Sequence, residues 1–335
     1  MEAQPQNFAA MRADWPFLPS ISGKGLFCPE VAHDKQEARG LIHMAYAARR
    51  KMKKLLCIFI LLSACAIVEA HPSVGIALDS RGNLFYSDLN QVWKIAPDGK
   101  KSVAVPNVHS HELYIDAEDN LYGEHLWYEG DATKKWGHRV WCLKRDGTIV
   151  DVIPAREGFL RDYSFVRDRA GNMYWADRGA QTFIKKRSPD GKITTHASAD
   201  FRSVSWLTAT AGGALFLMDK GDLRRVAPDG KVTTLASKLS GYKPAPAGVS
   251  DLNYHMGLWT DGEGNVYVAI GRERLAVKVR ADGGSEVFAQ SSGDWAPSGG
   301  VFDRDGNLWL LEYSSTNEMR ARRIPRAAIN SRPKK

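Results

Sequence analysis

Leu113-Tyr-Ile-Asp116-Ala-Glu-Asp-Asn120-Leu-Tyr122 is an apolar run, an aspartate, a short polar turn ending in asparagine, and a second apolar run carrying an aromatic. The same pattern is written five more times. It recurs as Ile76-Ala-Leu-Asp79-Ser-Arg-Gly-Asn-Leu-Phe85 and Phe165-Val-Arg-Asp168-Arg-Ala-Gly-Asn-Met-Tyr174, then as a degenerate Leu207-Thr-Ala-Thr210-Ala-Gly-Gly-Ala-Leu-Phe216. The last two copies are Leu258-Trp-Thr-Asp261-Gly-Glu-Gly-Asn-Val-Tyr267 and Gly300-Val-Phe-Asp303-Arg-Asp-Gly-Asn-Leu-Trp309. A second turn follows the first five copies: Pro97-Asp-Gly99, Arg145-Asp-Gly147, Pro189-Asp-Gly191, Pro228-Asp-Gly230 and Ala281-Asp-Gly283. In the sixth it has decayed to Ile324-Pro-Arg326.

Gly-Asn and Asp-Gly between alternating apolar runs are hairpin signals, because these residues tolerate the positive φ that tight turns require. Each copy therefore reads as two hairpins, four short antiparallel strands in about 40–50 residues. A sheet of that size cannot bury both faces alone; six set radially can. The spacing predicts an all-β fold, a six-bladed β-propeller of four-stranded antiparallel blades over residues 71–327.

Composition bounds the function. Of 4 cysteines only Cys142 lies within the repeats, so no disulfide forms inside the propeller. The net charge of +8 is misleading about partners. Seven basic residues sit between Arg320 and Lys335, and the repeat body is near neutral to slightly acidic. Nucleic-acid binding needs a basic stripe on the body, so it is excluded as a partner class. The basic tail, 328–335, reads as solvated.

Residues 1–51 show no sustained apolar periodicity and read as a disordered leader or a misassigned start. Met52-Lys-Lys and Leu55-Leu-Cys-Ile-Phe-Ile-Leu-Leu62 form a charged n-region and an apolar h-region, and Val68-Glu-Ala70 places small residues for a cut before His71. Residues 52–70 are thus predicted to be a signal peptide, and the propeller to be exported, periplasmic or secreted. Leu62-Ser-Ala-Cys65 also resembles a lipobox, which would instead anchor the protein to a membrane through a lipid on Cys65.

Differences between copies point to a site. Counting back from the repeat aspartate, the opening positions of the inner strands bring Ser110-His111-Glu112, Asp162-Tyr163-Ser164, Val204-Ser205-Trp206 and His255-Met256-Gly257 toward one axis. Imidazole with carboxylate can ligate a divalent ion or carry protons near neutral pH. At the end of the second strand most copies carry a carboxylate, but the second has His125. It also has the longest insertion, Leu126 to His138, whose Trp127 and Trp136 either wall the channel mouth or pack on a neighbouring blade.

The unit Val74-Gly-Ile-Ala-Leu-Asp79 … Gly82-Asn-Leu-Phe-Tyr-Ser-Asp88 … Val92-Trp-Lys-Ile-Ala-Pro-Asp-Gly99 resembles an NHL-type repeat. Residues 72–327 resemble the six-bladed propellers of the NHL and regucalcin/gluconolactonase-like group. The resemblance implies lactonases, lyases or binding platforms, with a divalent metal (Zn, Ca or Mg) and no organic cofactor. The early glutamate of gluconolactonase-like first blades is absent, the corresponding stretch being Pro72-Ser-Val-Gly75. Lyase branches hold a metal through channel histidines with a Tyr or Glu nearby. On that pattern His111, His125 and His255 are the expected metal ligands, Glu112 a ligand or base, and Tyr163 or His138 the proton carrier.

Two functions follow as expectations. One is an exported, divalent-metal-dependent hydrolase or lyase acting on a small molecule. The other is a non-catalytic binding propeller whose rim, with Trp127, Trp136, Trp206, Trp295 and Arg161, suits a sugar, peptide or cell-wall fragment. A monomer is expected in either case.

Overall fold

The structure, a computed structural model, describes residues 72–241 and 255–330. Among these, six small antiparallel sheets follow one another in chain order. Blade one holds β1 (Ile76–Leu78), β2 (Leu84–Ser87), β3 (Gln91–Ile95) and β4 (Lys101–Pro106). Blade two holds β5 (Leu113–Ile115), β6 (Leu121–Tyr128), β7 (Trp136–Leu143) and β8 (Ile149–Glu157). Blade three has three strands, β9 (Met173–Asp177), β10 (Phe183–Arg187) and β11 (Ile193–Ser198). Its inner segment joins them through a single bridge, Arg167 to Met173. Blade four contains β12 (Val204–Ala209), β13 (Leu215–Asp219), β14 (Asp222–Val226) and β15 (Val232–Ala236). Blade five contains β16 (His255–Thr260), β17 (Val266–Ile270), β18 (Leu275–Val279) and β19 (Ser285–Gln290). Blade six has β20 (Ala296–Phe302), β21 (Leu308–Tyr313) and β22 (Met319–Ile324), followed by a short helix, α1 (Arg326–Asn330). The fold is the six-bladed β-propeller that the repeat predicts, with two blades one regular strand short.

The repeat aspartate is the reason the pattern recurs. In the first copy Asp79 accepts from the Asn83 backbone N–H at 2.8 Å and from its amide at 2.6 Å, so one carboxylate closes the turn twice. In copies two, three and five a strand tyrosine also donates to that carboxylate: Tyr122 to Asp116, Tyr174 to Asp168 and Tyr267 to Asp261, each at 2.9 Å. The degenerate fourth copy keeps the turn with a hydroxyl, Thr210 Oγ1 accepting from the Ala214 N–H at 3.1 Å. The second strand of a blade is sandwiched between neighbouring blades. Val266, Tyr267, Val268, Ala269 and Ile270 are accordingly all buried, an unbroken apolar run rather than an alternating one. Trp141 and Tyr174 are buried in the same way, as blade-packing aromatics should be.

The ring closes through the inner strands. A Cβ on Gly299 of β20 would stand 2.7 Å from the carbonyl oxygen of Val74, so glycine is what lets blade six lie against blade one. At the chain end residues 327–330 belong to a helix and add no fourth strand to blade six; the Arg326 N–H that opens the helix is held by Asn307 Oδ1 at 3.0 Å. Arg320 and Arg322, two of the seven basic residues counted above at the chain end, are structural. Both donate to the fully buried Glu312, at 2.8 Å each, and Ser291 donates to it at 2.6 Å. Among the described residues no helix is long and apolar enough to cross a membrane. The leader 1–51, the signal peptide 52–70, Cys65 and the end of the tail from 331 lie outside the described residues, as does the Pro-rich stretch 242–254.

Candidate functional site

A cavity of about 210 Å³ runs among the inner strands, walled by Glu112, Phe165, Arg167, Trp206, Leu258 and Trp259 with glycines of blades five and six. Three residues before the repeat position stand Ile76, Leu113, Phe165, Leu207, Leu258 and Gly300, and all six line the cavity; four residues before it, Glu112, Trp206, Gly257 and Gly299 line it as well. Glu112 and Arg167 are the charged residues in this wall, on the inner segments of blades two and three.

The segment carrying Glu112 is held from both sides. The His111 carbonyl accepts from the Val74 N–H at 3.0 Å and from Ser73 Oγ at 3.1 Å, and the Ser110 carbonyl accepts from Ser87 Oγ at 2.6 Å, so blade one fixes it. Ser110 Oγ also donates to the Glu124 carbonyl, and His111 Nδ1 lies 3.3 Å from Glu124 Oε1, which fixes it to β6. The His109 and His111 rings meet edge to face at 4.7 Å, and the His109 N–H donates to His125 Nδ1 at 2.9 Å.

This environment sets the protonation of the groups it holds. Burial, reinforced by the nearby Glu124 carboxylate, pushes Glu112 up to about 7, with His111 and Arg178 opposing. Burial lowers His109, with His111 adding to the effect, and burial with the Arg139 charge lowers His125. Arg178 donates to the Val204 carbonyl at 2.9 Å and the Ser205 carbonyl at 3.3 Å, which fixes the cation that faces Glu112 from blade three.

Several expected roles are redistributed. His111, His125 and His255 do not form one ligand set: among the described residues no three His, Cys, Asp or Glu side chains are grouped to hold a metal ion. His255 turns to blade four, its Nε2 lying 2.6 Å from the Leu239 carbonyl, while the His125 Nδ1 lone pair is taken by backbone. His138 is buried on β7 with Nδ1 2.7 Å from the Gly158 carbonyl, a blade-two contact rather than a proton carrier in the channel. Tyr163 is not in the cavity wall; its hydroxyl accepts from Arg167 Nη2 at 2.7 Å.

The long insertion is a continuation of the β6–β7 hairpin, with Trp127 opposite Gly137 and Tyr128 opposite Trp136. Trp127 lies over the bare face of Gly137, where a Cβ would sit 2.1 Å from its ring, and stacks on His125 at 5.5 Å. Trp136 is exposed between Tyr128 and Phe159. Neither tryptophan walls the cavity. Trp295 is covered by Arg320, whose guanidinium carbon is 4.0 Å from its ring, and Arg161 is exposed. Of the expected ligand-binding set, Trp206 lines the cavity, and its Nε1 donates to the His255 carbonyl at 2.7 Å.

Glu124, Arg167 and Arg178 were not among the expected site residues. Two of them carry a readable signal. Glu124 occupies the column held elsewhere by Ser87, Ala176, Met218, Ala269 and Leu311, and Arg167 the column of Leu78, Ile115, Ala209, Thr260 and Phe302.

No family model matches the chain, and no curated protein matches it in sequence. Solved structures do match in fold. The luciferin-regenerating enzyme is 13% identical, covering 75% of this chain and 87% of its own, with a TM-score of 0.51. A gluconolactonase from Xanthomonas campestris is 16% identical, covering 75% and 85%, with a TM-score of 0.50. At such identities the likeness establishes the propeller and leaves the activity to the site.

Proposed function

We propose that the channel is the active site of a hydrolase- or lyase-like enzyme acting on a small molecule, with Glu112 as its proton-transfer group. The observation that carries this reading is a carboxyl in the cavity wall, raised to about 7 by burial and by Glu124. Such a group exchanges protons near neutral pH, where an ordinary glutamate is fully ionised. In a hydrolysis, ionised Glu112 takes a proton from water as the water oxygen bonds to an acyl carbon. The same proton then passes to the departing alkoxide, so the carboxylate is regenerated. In an elimination it would take the proton from carbon and return it to the leaving group. Both routes are written with the chain's own side chains; among the described residues no three His, Cys, Asp or Glu side chains are grouped to hold a metal ion.

The test is hydrolysis of a panel of small esters and lactones by wild type and Glu112→Gln. A loss in kcat of about 10²–10⁴-fold is expected. Equal turnover by the two proteins would overturn the assignment.

One observation favours a second reading, a binding propeller. Tyr128 and Trp136 on the β6–β7 hairpin and Phe159 just after β8 form a partly exposed aromatic row, with ring centroids 4.9 Å and 5.4 Å apart. Aromatic faces of that kind suit the apolar faces of sugar rings. Trp136→Ala would then abolish retention on immobilised polysaccharide, and unchanged retention would dismiss it. Export, with a cut before His71 or anchoring at Cys65, is part of the proposal; the N-terminal residue of the mature protein, read by mass spectrometry, decides between them.

A further inference from the structure

The Arg167 guanidinium is underused for a group in a cavity wall. It carries five N–H donors, and one hydrogen bond is formed, from Nη2 to the Tyr163 hydroxyl at 2.7 Å. Its Nε is buried and has no hydrogen-bond partner among the described residues. No carboxylate there pairs with it, although Arg202, Arg224, Arg320 and Arg322 all have acidic partners. Instead it is set among aromatic rings, its central carbon 4.8 Å from Tyr114, 5.2 Å from Tyr163 and 5.8 Å from Tyr122. The rings fix the plane of the guanidinium and give it no anion. A buried donor without an acceptor is costly, and native structures leave few of them without a purpose.

Position adds the second half of the argument. Glu112 opens the inner strand of blade two, whereas Arg167 stands next to the repeat aspartate at the far end of the corresponding segment of blade three. Three residues of strand separate the two levels, about 10 Å along the channel. Arg178, the other cation near Glu112, is already committed to two backbone carbonyls.

We propose that Arg167 is a carboxylate-recognition subsite, so that the channel takes a small molecule with a carboxylate at one end and its reacting group at the other. This rests on the channel being the ligand site, as argued above. The planar guanidinium, held by three tyrosines, offers the Nη hydrogens not donated to Tyr163 to a carboxylate, in the planar pairing that guanidinium and carboxylate favour. The inner end of the channel then selects the substrate, and Glu112 acts on it.

The experiment is calorimetric titration of glutarate and adipate, with glutaramide and adipamide as their uncharged counterparts, at constant ionic strength. Wild type should bind a diacid at least about tenfold more tightly than its diamide, and Arg167→Gln should lose that preference. Glu112→Gln should keep it, even where hydrolysis is lost. Equal binding of diacid and diamide, no saturable binding of either diacid, or a preference that survives in Arg167→Gln would overturn the proposal. If Glu112→Gln turns over esters like wild type while the preference holds, the carboxylate subsite stands and the acid–base assignment fails. Should Arg167→Gln not fold, the wild-type comparison of diacid with diamide decides alone.

Discussion

Oε1 of Glu124 lies 3.3 Å from Nδ1 of His111, so the middle of β6 is tied to the residue immediately before Glu112. The contact places a second carboxylate beside the first, and Glu112 feels it: after burial, Glu124 is the largest cause of its rise to about 7. Two acidic groups in one partly desolvated corner cannot both ionise as easily as either alone.

Removing the Glu124 charge should therefore lower Glu112. In Glu124→Gln the acidic limb of the pH–activity profile is expected to move to lower pH. It should stop short of the ordinary value of 4.5, because burial, the larger cause, remains. Carbon NMR titration of the Glu112 carboxyl reads the same shift without a substrate. A limb that stays where it is in wild type would show that Glu124 does not act on Glu112.

The raised carboxyl also links stability to pH. Glu112 is 4.5 when unfolded and about 7 when folded, so between these values the native state holds the extra proton. Stability is highest below about 4.5 on this account and falls as pH rises through the window, by on the order of 3 kcal/mol at most. Glu112→Gln removes this dependence. Urea denaturation at about pH 5 and about pH 8 should show the variant gaining on wild type at the higher pH. A constant difference across the window would mean that the carboxyl is not perturbed.

How much of this was legible in the sequence follows from what repeats. Asp79, Asp116, Asp168, Asp261 and Asp303 close the same turn with the same asparagine bonds, so their spacing announced the blades directly. Glu112 was legible too, because it interrupts a column of small and apolar residues that faces the axis. His138 and His255 were not, because side-chain direction depends on register. Their imidazoles are bonded to the Gly158 and Leu239 carbonyls, and β16 has a bulge between His255 and Leu258 that no periodicity reveals. Arg167 and Glu124 broke their columns as clearly as Glu112 did; the Arg167 column lies three residues further along the inner strand than that of Glu112, and the Glu124 column one residue before that of His125.

On its contact with the Leu239 carbonyl, His255 is expected to be structural. His255→Ala removes the contact with the Leu239 carbonyl and leaves that acceptor unpaired, at a cost of about 1–3 kcal/mol. The expected result is a lower denaturation midpoint with kcat on the best ester substrate unchanged. A stable, folded variant without activity would return His255 to the chemistry.

Asp119 takes the place that glycine holds in the corresponding turns of the other five blades, and it adopts the left-handed conformation there, with φ at 67°. Aspartate tolerates that region better than most residues, yet not as freely as glycine. Its side chain supplies a compensation across the blade boundary: Asp119 accepts from the Ser80 N–H at 2.7 Å and from Ser80 Oγ at 2.5 Å, joining blade two to blade one. These two bonds hold the carboxyl below its usual 3.8, so the stability they contribute is complete above that value and is lost as pH falls through the lowered one. Asp119→Asn retains a residue suited to the backbone but turns an amide N–H₂ toward one of the Ser80 donors. A loss of about 1–3 kcal/mol at neutral pH is expected, shrinking as wild type is acidified below the ordinary value of 3.8. Equal stability of the two proteins at neutral pH would show that the Ser80 contact does not hold the two blades together.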